Sequence, residues 1–252
     1  MKKQLLIVLG AFVFCLPAFS AALAANMLNP VLIPSQLSFG LGAEYDFTFR
    51  PLAVETDGRV QFTSHRILAD LAFNPTSFFG LKLRAGAGNM LFSNPKFNKI
   101  SSLDDVAATE DAIDGFGTPF NFIGGGELDF AFMKDPNKFI GLGLNIFGLY
   151  QTGSKDDITV SLFEYGAGFN VSFISLGTIV PYVGFDYTGV TGDLKSTQTD
   201  RKEYTLDITN DYNSPIGVFA GISIVIGDNA RFNLEGRFLN EISGGLAFSY
   251  NF

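Results

Sequence analysis

Cysteine, tryptophan and histidine are almost missing from this chain: 252 residues hold one Cys, no Trp and one His. Cys15 lies in an apolar stretch between a cationic Met1-Lys2-Lys3 and the small residues Ala22-Leu23-Ala24. That order is the pattern of an export signal with its peptidase site, so residues 1–24 are expected to be removed and take no part in the fold. Phe14, just before Cys15, is too large for a lipobox and argues against a lipid anchor. The mature chain is then free of cysteine, which excludes a disulfide framework, a cysteine nucleophile and a cysteine metal site. His65 is flanked by Ser64, but strand neighbours point to opposite faces and cannot form a nucleophile–base pair. Thr63 shares the face of His65 and lacks any further activating group. No catalytic residue, no cofactor and no metal site is therefore expected, and the chain reads as a non-enzyme.

Long apolar runs are also missing. Downstream of the signal nothing approaches the roughly 20 residues a spanning helix needs. Bases are few, 17 against 25 acids, and Lys2 and Lys3 leave with the signal, so nucleic acid is not expected as a partner. What is abundant is Phe and Gly, 28 of each, with a positive mean hydropathy that is unusual in an acidic soluble protein. A barrel with lipid-facing Phe, Leu, Ile and Tyr and a narrow, Gly-lined lumen accounts for all three.

Ten segments alternate with period two, the signature of a strand with one apolar and one polar face. They fall at 36–50, 61–73, 78–92, 118–132, 139–151, 159–173, 179–190, 215–226, 230–239 and from Gly244 onward. In the first, Leu37, Phe39, Leu41, Ala43, Tyr45, Phe47 and Phe49 face one way and Ser38, Gly40, Gly42, Glu44, Asp46 and Thr48 the other. Asn74-Pro75-Thr76-Ser77, Lys134-Asp135-Pro136-Asn137 and Gly227-Asp228-Asn229 have the chemistry of turns. Connections after the even-numbered segments are short and several of the others long, as in an up-and-down barrel. The expected fold is thus all-β, a transmembrane antiparallel barrel of ten strands, with eight as the alternative. Residues 25–35 form a lead-in, 36–252 a single barrel domain, and the long external loops lie near 93–117 and 191–214. In the first loop Ser102 and Asp105 suit a helix start, and its acids do not have the spacing of an EF-hand. In the second, the alternation of 204–208 suggests a hairpin beyond the membrane.

The register turns Glu44, Asp46, Asp70, Glu127, Asp129, Glu164, Asp186 and Glu235 inward, together with Arg66, Lys82, Arg84, Arg231 and Arg237. Unpaired charges in a narrow barrel carry a heavy desolvation cost, so a cross-lumen ion-pair network is expected. The alternative use of the same residues is a narrow pore favouring small cations. Phe139, Phe147, Leu149, Phe219 and Val225 are also placed inward, as a plug or as a patch for a hydrophobic solute.

Leu246, Phe248, Tyr250 and Phe252 alternate with small or polar residues up to a terminal aromatic. This resembles the C-terminal strand of bacterial outer-membrane barrels, and the pattern of the whole mature chain is similar to the small OmpA-, OmpW- and opacity-type group. The resemblance implies an outer-membrane location, lipid around the barrel, and folding by the barrel-assembly machinery acting on that strand. It leaves a structural or surface-contact role, porin-like transport, and binding of an external ligand or host surface through the loops as possible functions.

Overall fold

The computed structural model describes residues 37–54, 58–97, 116–133, 139–155, 158–174, 178–197, 203–210, 215–239 and 241–252. The expected signal, the lead-in, Cys15, the acidic stretch 101–115 with its expected helix start, and the turn expected at Lys134 to Asn137 lie outside them. The described residues are almost all strand: β1 (Ser38–Val54), β2 (Gly58–Thr76), β3 (Phe79–Phe97), β4 (Gly117–Met133), β5 (Ile140–Lys155), β6 (Ile158–Phe173), β7 (Ile179–Thr197), β8 (Glu203–Asn210), β9 (Ile216–Ile226), β10 (Ala230–Phe238) and β11 (Ile242–Asn251).

Ten of these strands form a closed antiparallel ring. Sequential neighbours pair from β1 to β7, β7 then pairs with β9, and β11 returns to β1 from Gly40↔Asn251 to Phe49↔Ile242. Closure matters because it leaves no unsatisfied strand edge in hydrocarbon. The eight-strand alternative is thereby set aside for this ring.

The eleventh strand, β8, joins only at one end. It pairs with β7 from Thr191↔Thr209 to Thr197↔Glu203 and with β1 from Leu52↔Asn210 to Val54↔Ile208. Both pairings begin just past the points where β9 and β11 stop, at Tyr187↔Ile216 and Phe49↔Ile242. At this extended end β8 therefore takes the place of β9, β10 and β11 in the wall. The alternation at 204–208 is this strand.

Strand lengths separate the two levels. β9, β10 and β11 have 11, 9 and 10 residues, which is the length that crosses a bilayer. β1 to β7 have 16 to 19 and continue beyond it. The side chains change sides at the same level. Within the ten-strand belt Leu41, Ile67, Leu83, Phe185 and Phe248 are exposed outside, while Glu44, Asp70, Lys82 and Asp186 are buried inside. Beyond it the outer face carries Thr191, Lys195 and Ser154, and the buried inner face carries Leu52, Val60, Phe62, Leu162 and Leu194. The barrel is inside-out in the belt; above it the inner face turns apolar, while the outer face mixes polar residues with exposed rings such as Phe163, the pairing partner of Thr191.

The sequence boundaries are corrected mainly at the extended end. Ten residues expected to link the first two segments shrink to 55–57, because both strands run on. The turn expected at Asn74 to Ser77 shifts to residues 77 and 78; Asn74 is instead a buried strand residue whose amide donates to Ser38 Oγ at 3.2 Å. Gly227 does make its turn, with φ +62°, a region open to glycine at little cost. Phe139, expected inside, is 72% exposed at the turn end.

Candidate functional site

The lumen collects the charged residues into three networks. Nearest the turn end, Lys82 Nζ donates to Glu127 Oε1 at 2.9 Å and lies 3.8 Å from Asp129. Arg84 reaches Glu44 at 3.1 Å and Asp70 at 3.7 Å, and it also pairs with Glu127. Four adjacent strands, β1 to β4, supply these six side chains, and each has its charge on the same inward parity as its neighbours. All are buried.

The second network crosses the lumen. Arg66 on β2 donates to Glu164 on β6 at 2.9 Å and faces Asp46 at 3.8 Å. Arg50 on β1 lies 3.0 Å from the same Glu164 and pairs with Glu241, between β10 and β11. Two guanidiniums and three carboxylates thus tie β1, β2 and β6 to the β10–β11 turn at the level where the belt ends.

The third network joins β7 and β10. Arg237 contacts Asp186 at 3.1 Å and Glu235 at 3.2 Å, Tyr182 donates its hydroxyl to Glu235 at 2.9 Å, and Thr188 donates to Asp186 at 3.0 Å. The Arg237 guanidinium also lies 5.9 Å from the Phe147 ring centre and 5.8 Å from that of Phe219, within cation–π range. Glycine makes room for these inward aromatics. Phe219 lies across from Gly184 and Tyr182 across from Gly221. A Cβ built on Gly184 would meet the Phe219 ring at 2.3 Å, and one on Gly221 would meet Tyr182 at 2.4 Å.

Above the networks the lumen becomes apolar. Leu52, Val60, Phe62, Met90, Phe92, Phe116, Val160, Leu162, Val190, Leu194 and Ile208 form one buried cluster. Phe62 and Phe92 lie 5.4 Å apart, and Phe92 and Phe116 6.2 Å. Between this core and the Arg66–Glu164 bridge is a cavity of about 10 Å³, enough for one water. Its lining includes Phe62, Ile123, Leu149 and Leu162 as well as Arg66 and Glu164.

Of the sequence-derived lumen residues, Glu44, Asp46, Asp70, Lys82, Arg84, Glu127, Asp129, Arg66, Glu164, Asp186, Glu235 and Arg237 are placed in these networks. Arg231 stands apart, half-buried opposite Ser249 and Val225, with no ion pair among the described residues. Phe147 and Phe219 line the lumen in one cluster and Leu149 in another. Arg50, Glu241 and most of the apolar core escaped the sequence reading. The signal for the core was available: Leu52, Val60, Phe62, Leu162 and Val190 keep the inward parity of Glu44, Arg66, Glu164 and Asp186.

His65 faces outward. Its Nδ1 is 2.8 Å from the Tyr45 hydroxyl, and its ring is 4.8 Å from that of Phe47. Ser64 points the other way, into the buried interior, and donates to Asn89 O at 2.7 Å. Phe248 and Tyr250 are exposed on the outer face and Leu246 partly so; Phe252 N–H donates to Phe39 O at 2.9 Å. Those four residues sit along the strand that closes the ring.

No family model and no curated protein sequence matches the chain. Solved barrel structures are similar to it in shape. An outer-membrane channel from Pseudomonas putida F1 is 11% identical, with 90% of this chain and 100% of that one covered at a TM-score of 0.44. The toluene transporter TbuX of Ralstonia pickettii is 13% identical over 92% and 95% at 0.40, and the outer membrane protease OmpT of Escherichia coli 8% over 85% and 92% at 0.39. A channel, a transporter and a protease are alike in this comparison, so it carries no activity to this chain.

Proposed function

We propose that the protein is a non-enzymatic outer-membrane barrel with a closed lumen and a structural or surface-contact role. The short-turn end then faces the periplasm and the extended end the outside. The Arg66–Glu164 bridge capped by the apolar core carries this reading. A path for ions along the axis would have to break a buried ion pair and then wet a packed apolar layer, and each step opposes conduction. The partners that fit are outer-membrane lipid on the belt and the barrel-assembly machinery on β11, as in the OmpA-, OmpW- and opacity-type group.

The test is planar-bilayer conductance of the refolded mature protein beside heat-modifiable gel migration. A heat-modifiable band without steady channels is the expected result; cation-favouring channels would overturn the closed-lumen reading. Arg84→Ala and Glu127→Ala are expected to lower resistance to unfolding, since each leaves partners buried without their counter-charge. Raised conductance with unchanged stability would make the same residues a gate.

A second reading is favoured by one observation. The buried core at the extended end is apolar and includes the adaptable side chain of Met90, so a small hydrophobic solute is the guest its chemistry would accept.

A further inference from the structure

Lys82 differs from the arginines of the lumen because its amine is a nucleophile, and two carboxyl groups of the next strand lie against it. Glu127 is its register partner across β3 and β4, and Asp129 is the diagonal neighbour two residues further along β4. Lys82 Nζ is 2.9 Å from Glu127 Oε1 and 3.8 Å from Asp129 Oδ2. Asp129 stands opposite Gly80, which has no side chain to place between them. The side chains of Lys82, Glu127 and Asp129 are 2%, 0% and 10% exposed. The β3–β4 register is unbroken from Phe79↔Phe130 to Gly88↔Asn121, so the ladder holds all three side chains in one array.

The charges around this array do not balance. Lys82 and Arg84 face Glu44, Asp70, Glu127 and Asp129, so two bases meet four acids in a buried space. A surplus of buried negative charge is relieved by protons held on carboxyl groups. Glu127 is gripped by Lys82 and Arg84 together and is the carboxylate of the array. Asp129 has Lys82 at 3.8 Å as its ion-pair partner among the described residues, and its Oδ1 accepts no hydrogen bond there. Asp129 is therefore the acid that carries a proton, and a protonated carboxyl is the form that an amine can attack.

We propose that Lys82 and Asp129 condense into an amide, an intramolecular cross-link between β3 and β4, with Glu127 as the base. Glu127 takes a proton from the Lys82 ammonium, and the freed amine attacks the carboxyl carbon of Asp129 to form the C–N bond. Glu127 then passes its proton to the Asp129 hydroxyl and takes the second proton from the nitrogen. The C–O bond breaks and the hydroxyl leaves as water. Of the four hydrogens on the ammonium and the acid, one stays on the amide, two leave in the water and one ends on Glu127; nothing is oxidised or reduced. The charges of Lys82 and Glu127 both vanish, and with them their desolvation cost, leaving Arg84 to Glu44 and Asp70. Fixed placement replaces the encounter of two free groups, and a site closed to bulk water protects the amide from hydrolysis. The bond joins the two strands that flank the connection 98–116, so the wall stays tied across it.

The test is the intact mass of the mature protein before and after refolding, both measured under denaturing conditions. The expected result is a loss of one water on refolding, absent from Lys82→Arg and Glu127→Gln proteins that reach the fast-migrating folded band. Cyanogen bromide locates the bond, because it cuts after Met27, Met90 and Met133. The fragments 28–90, with Lys82, and 91–133, with Asp129, should stay joined in the refolded wild type and separate in both variants. Tandem mass spectrometry of the joined piece assigns the acid. Full mass in the refolded wild type overturns the proposal. A water loss that persists in Lys82→Arg also overturns it, since the loss then belongs to another site such as an aspartyl imide. A bond to Glu127 in place of Asp129 overturns the roles given to the two acids. Where a variant fails to refold, the joined or separate fragments of the wild type decide.

Discussion

At the scale of single residues, Glu164 is held at once by two guanidiniums, Arg66 at 2.9 Å and Arg50 at 3.0 Å. Glu164→Ala leaves two buried guanidiniums facing each other's charge, and breaking such a pair costs about 3–5 kcal/mol. The expected outcome is a marked fall in the temperature at which the folded, fast-migrating band converts to the slow one; an unchanged transition would show that water already compensates these charges. A change in the opposite direction is expected at Leu239, which has φ +87° in the β10–β11 turn and is 77% exposed. Leu239→Gly removes a left-handed strain of about 1–2 kcal/mol with little packing lost, so the same assay should register stabilisation. Inward parity made the individual charges legible in the sequence. Their partners were not, because Arg66 and Glu164 are 98 positions apart and only the barrel's stagger brings them to one level. Arg50 and Glu241 were missed for a different reason: Arg50 is the last residue of the segment expected at 36–50 although β1 runs on to Val54, and Glu241 lies between β10 and β11, where strand parity does not apply.

At the scale of elements, β11 holds the ring closed through ten register pairs with β1 on one side and by pairing with β10 on the other. Phe252 extends that seal by its bond to Phe39 O, and its ring lies 5.6 Å from Tyr250. Deleting Phe252 is expected to cut the yield of heat-modifiable barrel in cells, where assembly is catalysed, more than in refolding from denaturant; equal yields in both would remove the terminus from the assembly argument. β8 makes a different contribution, because it belongs to the extended end alone. Ile208 is 1% exposed in the apolar core. Ile208→Asp buries an unpaired charge there, so limited proteolysis should cleave within 191–214 while the ten-strand belt stays protected. Loss of the belt as well would mean that the two levels fold as one unit. The strands of the belt were readable because one-sided burial enforces strict alternation. The wall above it was less so: alternation persists there with its polarity reversed, and a reading tuned to apolar-out strands ends where the reversal begins.

At the scale of the molecule, that reversal is the feature from which the closed lumen follows. A barrel that is polar inside along its whole length could hold a continuous water column, whereas here the column meets an apolar layer just past the Arg66–Glu164 bridge. Two barriers in series predict a specific pattern of conductance. Polar substitutions in the core alone, such as Leu52→Ser with Leu162→Ser, admit water to the outer layer but leave the bridge shut. Removing the bridge alone, with Arg66→Met and Glu164→Met, opens the belt but leaves the apolar layer dry. Neither pair is expected to conduct, and only the fourfold variant should show steady channels in a planar bilayer. Conductance from the core pair alone would mean that the ion pairs yield readily once wetted, and would place the seal wholly in the apolar layer. Conductance from the bridge pair alone would assign it to the charges.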